Sequence, residues 1–217
     1  QFTQFYANPI YLNPAFAGSH GCPRFAVNYR NEWPSLTGNY VTYSMSYDQY
    51  FKNISGGFGV IAMHDQQGQG TIFTSMLGAV YSYHLNVSRK FKMMFGARAA
   101  MFNKYLDWDK LTFGDMIDPR RGFIYQTGDV QRGGSRYFFD ASAGMVGYNK
   151  HFFFGFAAHH LNRPDESMII GSSRLPIRMT GHMGAKIPLG SKSQYKNVTS
   201  IMPNVIYQYQ NGFQELM

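Results

Sequence analysis

His159 and His160 stand side by side, and paired imidazoles are a common start to a metal site. On a strand, neighbouring residues point to opposite faces. The two rings are therefore read as polar interior or rim residues that share no ion. Asp107 and Asp109 are spaced to lie on one face of an extended segment, as paired catalytic carboxylates would. No base or rigid frame accompanies them, so they read as solvated loop residues. Asp65–Gly70, DQQGQG, would cradle a phosphate only if a helix followed. Strand-like segments flank it, and a hairpin turn is the expectation. Cys22 is the single cysteine, so no internal disulfide forms and no Cys/His metal spacing exists. Asn53, Asn86 and Asn197 begin Asn-x-Ser/Thr matches that matter only in a eukaryotic secreted protein. No Ser-His-Asp or Cys-His set is visible. The expectation is a protein without enzymatic chemistry, metal or cofactor.

The elements that hold these residues are legible in the composition. Of 217 residues, 15% are charged, below the roughly 25% usual in soluble domains. Aromatics make up 17%, and there are 23 glycines. Mean hydropathy is still negative, −0.31. No apolar run reaches the roughly 18 residues of a membrane helix. Few charges, many aromatics and no helical span fit a transmembrane β-barrel, whose strands alternate lipid-facing and lumen-facing residues. A soluble all-β protein would share this composition. The net charge of +8 is spread along the chain, so a basic nucleic-acid face is not indicated.

Period-two alternation recurs where helical periodicity does not. Strands are expected at 24–32, 40–50, 56–64, 71–85, 91–103, 136–148, 152–161, 178–188 and 196–209, with another from 213. Phe91, Met93, Phe95, Ala97, Ala99 and Met101 share one face of the fifth. Phe139, Ala141, Ala143 and Met145 share one face of the sixth. These uncharged faces are expected to meet lipid. Arg98 and Asp140 fall on the opposite faces of consecutive strands, roughly in register. They are expected to form an ion pair in the lumen, because a buried charge needs a partner.

The connections alternate in length. The long ones fall at the first, third, fifth and seventh places, up to 104–135, and the even ones are mostly short. Outer-membrane barrels place short turns on the periplasmic side and long loops outside. A Greek-key sandwich would not sort its loops this way. The expected fold is an all-β, antiparallel, up-and-down transmembrane barrel of the bacterial outer-membrane type. Pro203 weighs against its strand, since proline cannot donate to a ladder.

The opening QFTQFYANPIYLNPAFAGS, residues 1–19, is uncharged and rich in aromatics. It lacks the cationic start and unbroken apolar core of a leader. Its two Asn-Pro pairs predict extended pieces joined by turns. Residues 1–23 are set apart as a periplasmic N-terminal segment, and 24–217 as the barrel. The segment is expected to be ordered, in the barrel mouth or against a partner. Phe2, Phe5, Tyr6, Asn8, Pro9, Tyr11, Asn13, Pro14 and Phe16 are its candidate partner-binding residues. Trp108, Arg120 and Arg121 join them from the aromatic 104–135 loop, whose length points to function.

The same opening resembles the start of the PorP/SprF family, outer-membrane proteins of the type IX secretion system. The matching elements are Gln1–Phe5, Asn8-Pro9 and Asn13–Gly18, with Arg30 to Trp33 and His160-Leu161-Asn162 followed by Pro164. The resemblance runs over most of the chain. It implies a non-enzymatic part in protein secretion and gliding motility, anchoring or handing over an exported cell-surface adhesin. It also implies partners among periplasmic ring or lipoprotein subunits, in a setting of outer-membrane lipid and lipopolysaccharide. Family members look longer, so further barrel strands are expected beyond Met217. The rival reading is a porin-like solute channel. It needs an open polar lumen, whereas the lumen-side residues here include many Gly, Ser, Met and Tyr and few charges, as a filled or narrow interior would. A barrel lipase or protease is a third reading and lacks a nucleophile and base.

Overall fold

The computed structural model describes residues 7–35, 38–68, 71–128, 134–168, 172–189 and 199–217. Ten strands form one antiparallel sheet. They are β1 (Arg24–Glu32), β2 (Tyr40–Phe51), β3 (Gly56–Gln67), β4 (Ile72–Asn86), β5 (Lys92–Leu106), β8 (Ser135–Tyr148), β9 (Phe152–His159), β10 (Arg178–Ala185), β13 (Asn204–Gln210) and β14 (Phe213–Leu216). Each pairs with its predecessor in that order, so the sheet runs up and down. β1 and β14 are its edges and do not pair with each other. Two short hairpins, β6 (Ile117–Asp118) with β7 (Gly122–Phe123) and β11 (Ile187–Pro188) with β12 (Ser200–Ile201), sit in connections. Among the described residues no helix is long and apolar enough to cross a membrane.

The expected strands recur nearly residue for residue, with one correction. β10 ends at Ala185 and β13 starts at Asn204, and residues 196–198 of the expected strand lie outside the described residues. The eighth connection is therefore long, 186–203, at the end where the others are short. Proline explains the difference. Pro188 lies in the small hairpin, and Pro203 stops just short of β13, where its carbonyl accepts from Ala185 N at 3.1 Å. Neither has to donate within the main ladder. At Asp65–Gly70 the expected turn is present as far as it is described. β3 ends at Gln67, Gly68 turns through the left-handed region (φ 62°), and Gln69 and Gly70 lie outside the described residues.

Side chains divide by alternation. Met93, Phe95, Ala97, Ala99 and Met101 on β5, and Phe139, Ala141, Ala143 and Met145 on β8, share the outer face. Phe91 stands just before β5 and stacks on the outer-face Phe154. Val27, Leu77 and Tyr137 on this face are 66%, 66% and 67% exposed. So much contiguous apolar surface is unsuited to water and suited to lipid. β2, β3, β4, β5 and β8, of 12 to 15 residues, exceed the roughly 9–11 that a tilted strand needs to cross a bilayer.

The inner face carries the core. Ile61, Met76, Val80, Ala100 and Phe102 cluster there, and Phe102 stacks on Phe138 with rings 5.1 Å apart. Ala143 lies in the middle of the outer face, opposite Ala97 on one side and Ala158 on the other. Ala143→Arg should cost about 2–4 kcal/mol if that position is near the bilayer midplane. Denaturant titration in lipid vesicles measures this, and native-like stability would count against a lipid-facing sheet.

Candidate functional site

The inner face is covered by a strap of the chain's own N-terminal residues. The strap is built from single turns. Pro9–Leu12 is one turn of α-helix, α1, and Pro14–Phe16 a 3-10 turn. The expectation of extended pieces is corrected here. Asn8 and Asn13, each before a proline, are indeed non-helical. Each proline then sits in the first turn of a helical segment, where its fixed φ suits helix and its missing N–H costs nothing. Such turns satisfy their backbone locally. Asn13 N donates to Pro9 O (2.9 Å), Phe16 N to Asn13 O (3.1 Å) and Ser19 N to Phe16 O (3.1 Å). A buried strap needs this, because unpaired backbone groups are costly away from water.

Side chains fasten the strap across the sheet. Asn8 Nδ2 donates to Ser44 Oγ on β2 (2.9 Å). Asn13 is fully buried, and its Nδ2 reaches Met145 O on β8 (3.1 Å), Phe156 O on β9 (3.2 Å) and His182 Nε2 on β10 (3.1 Å). Its Oδ1 accepts from Ala15 N (2.9 Å). Ser82 Oγ on β4 donates to Ala15 O (2.8 Å), and His84 Nε2 lies 3.0 Å from Ala17 O. A few residues thus touch β2, β4, β8, β9 and β10, so the sheet curves around them. Ile10, Leu12, Ala15 and Ala17 bury their apolar surface in the same contact. Burial of the Ile and Leu side chains is worth about 1.5–3 kcal/mol each.

Glycines make room. Gly96 and Gly144 are cross-strand partners on β5 and β8. A Cβ at Gly96 would fall 2.3 Å from Ala15 N, and one at Gly144 2.2 Å from Asn13 Oδ1. The strap rests on this bare patch.

A latch closes its exit. Asp48, on β2 and fully buried, accepts from Arg24 Nε (2.8 Å) and Nη2 (3.0 Å) and from Gly18 N (2.7 Å). Arg24 opens β1 directly opposite Asp48. The bidentate fork ties the strap's end to the first hairpin.

A second charged centre lies beside Leu12. Arg98 stands opposite Ser142 and Asp140 opposite Ala100, so the pair meets diagonally across β5 and β8. Arg98 Nη2 is 3.3 Å from Asp140 Oδ2 and 3.0 Å from Ser142 Oγ. Both charged side chains are buried. His159 Nε2 is 3.2 Å from Leu12 O, which can only accept, so Nε2 carries the proton. Its Nδ1 then faces Arg98 Nη2 at 3.5 Å. Arg178 lies over the Tyr11 ring, 5.6 Å from its centre.

His160 corrects the expectation that the two histidines face apart. β9 ends at His159, and His160 turns through the left-handed region (φ 61°). Its Nδ1 comes 2.8 Å from Asp140 Oδ1. Asn162 is the reason for the turn. It replaces the missing strand beside β8, accepting from Ala141 N (3.1 Å) and donating to Phe139 O (2.6 Å). Both histidines therefore surround one ion pair, and no group of three metal-ligating side chains occurs among the described residues.

The remaining candidates sit elsewhere. Phe2, Phe5 and Tyr6 lie outside the described residues. Asn8, Asn13 and Pro14 are buried against this chain's own sheet, and Pro9, Tyr11 and Phe16 are half-buried there. Residues 7–21 of the segment set apart as 1–23 thus pack on the sheet they precede. Trp108, Arg120 and Arg121 lie in the long connection at the opposite end of the strands from Gly18. Trp108 stacks on Phe113 with centres 6.4 Å apart. Asp107 pairs with Lys110 (3.5 Å), and Asp109 is exposed.

In that connection the amides of Arg120 (2.8 Å) and Arg121 (2.9 Å) donate to Asp118, and Gly128 N (2.8 Å) donates to Asp115. These amides hold both carboxyls below their ordinary range. A lowered folded value means the contribution is present above the unfolded value, about 4, and fades as pH falls through the folded one. Hydrogen exchange at Arg120, Arg121 and Gly128 should be protected at neutral pH and lose protection on acidification. Asp118→Ala should remove it from Arg120 and Arg121 at neutral pH, and equal protection in the variant would refute the assignment.

The strap's anchoring is tested by Asn13→Ala and Gly144→Val. The first should cost about 1–3 kcal/mol through lost buried hydrogen bonds, and the second about 1–3 kcal/mol through overpacking. Limited proteolysis should cut both variants faster near residues 7–21 while the sheet stays intact. Unchanged cleavage would refute the anchoring.

The description Type IX secretion system membrane protein PorP/SprF belongs to the family whose sequence pattern this chain matches, over residues 1–217. A search of curated proteins finds no match.

Proposed function

The chain belongs to the PorP/SprF family of type IX secretion system membrane proteins, and from that premise we propose that it anchors or hands over partners of the export machinery. It is a component of the outer membrane. The partners would be periplasmic ring or lipoprotein subunits, or an exported adhesin. The long loops belong outside by the general rule for outer-membrane barrels. The Arg24 end of the strands, where the strap leaves, is then periplasmic.

One observation carries this reading. The strap covers the inner face to mid-height, where Ile10 joins Ile61, Val80 and Ala100. A face filled by the chain's own residues favours a docking body over an open solute pathway. The chemistry points the same way. Asp140 is engaged by Arg98, Ser142 and His160. Exposed His64 and half-buried Ser75, 2.9 Å apart, lie on the outer face, with Phe73 stacked on the ring. Neither arrangement is a nucleophile and base poised at a cleft.

The test deletes residues 1–19 behind an intact leader. Barrel insertion should persist, while partner co-purification and cargo secretion fall. If all three stay normal, the segment carries no function. Large steady single-channel conductance of the intact protein would favour the channel reading instead.

A further inference from the structure

Unpaired positive charge gathers at one end of the strands. At the end with the short β2–β3, β4–β5 and β8–β9 turns stand Lys52, Arg89, Lys90, Lys92, Lys150 and Lys186, all exposed. Among the described residues none of the six is in an ion pair. The carboxylate at this end is Asp48, which the Arg24 fork occupies. The connections at the other end are mixed in sign, with Asp107, Asp109, Asp115, Asp118, Asp165 and Glu166 beside Lys110, Arg120, Arg121, Arg163 and Arg174.

An apolar pocket of about 440 Å³ opens within the cationic end. Phe16 of the strap, Met94, Val146, Phe153 and Met202 line it, and Lys150 and Lys186 are also in its wall. Lys186 N donates to His151 O at 2.6 Å, which holds the β10 end beside the β8–β9 turn. The volume lies within the range of small-ligand pockets, about 300–1,000 Å³.

We propose that this pocket docks an acidic peptide segment of a partner protein, which seats one aromatic or branched aliphatic side chain while flanking carboxylates meet Lys150 and Lys186. Charge complementarity selects the partner and speeds its approach. The pocket's position favours a peptide over lipid. Met94 and Val146 belong to the inner face, the face of Gly96 and Gly144, and Phe16 belongs to the strap. The opening is therefore at the end of the strands, inside the curve of the sheet. Acyl chains pack on the outer face, where Phe95 and Met145 point. This site rests on the reading under Proposed function only for where the partner resides.

The experiment uses the intact protein in neutral detergent and a displayed library of random dodecapeptides. Selection should enrich Asp or Glu around a Phe, Tyr, Leu or Ile. The best peptide, fluorescently labelled, should lose about tenfold or more in affinity when its apolar residue becomes Ala, a difference of about 1.4 kcal/mol. Lys150→Glu with Lys186→Glu should weaken it as much, and added salt should weaken it further. Both lysines are exposed, and heat-modifiable gel migration checks that the variant folds. Lys150→Gln with Lys186→Gln is the milder second variant. The site is overturned if enrichment lacks acidic residues, if wild type and both variants bind alike, or if anionic phospholipid vesicles displace the peptide. Cargo secretion separates this from the broader reading. Peptide binding lost in a variant that secretes normally keeps the site and removes its role in export. Secretion lost with peptide binding intact keeps the role and overturns the site.

Discussion

Everything on the inner face depends on a close approach between Asn13 and two glycines. Gly96 and Gly144 sit opposite each other and leave the sheet bare of side chains at one spot. Through that opening the Asn13 amide reaches carbonyls on β8 and β9 and the His182 ring on β10. Strand carbonyls normally bond to other strands. Here a side chain enters that network from above and aligns the strap with the register of the sheet. The two Asn-Pro pairs make this economical. Each Asn stays outside the helical region with its side chain free to reach out, and each Pro starts a turn that satisfies its own backbone.

The charged groups follow from the same geometry. Once Leu12 is fixed, its carbonyl takes the proton of His159, and the other face of that ring turns to Arg98. Asp140 answers Arg98, and His160 swings in beside it. Arg98 Nε and Nη1 have no hydrogen-bond partner among the described residues. The interior here is a polar seam under a largely apolar strap, inside a sheet whose outer face is mostly apolar.

Much of this was legible in the sequence. Period-two alternation placed nearly every strand, because lipid on one side and a packed interior on the other leave little freedom of phase. It also put Arg98 and Asp140 together. The exceptions have local causes. His160 misled because Asn162 imitates a strand and lets the chain turn early. The 186–203 connection misled because alternation continues across Pro188 and up to Pro203, where the ladder cannot. The strap's turns were hidden because one proline-initiated turn has no periodicity to detect. The Arg24–Asp48 latch could have been found. The first hairpin, with 32 opposite 40, puts 24 opposite 48, and both fall on the inner phase. The glycine patch carries a fainter signal, two glycines at inward positions of adjacent strands.

The strap also imposes an order of events. It is synthesised before every strand that holds it. Asn13 and His182 are 169 residues apart in sequence. The seat is complete only once β10 has joined the sheet, so the strap is among the last pieces to settle fully. Until then its earlier anchors are Ser44 and Asp48 on β2 and Ser82 on β4. Contacts of such long separation close slowly. The folding chain therefore passes through an interval in which the strap is only partly fastened to the unfinished sheet.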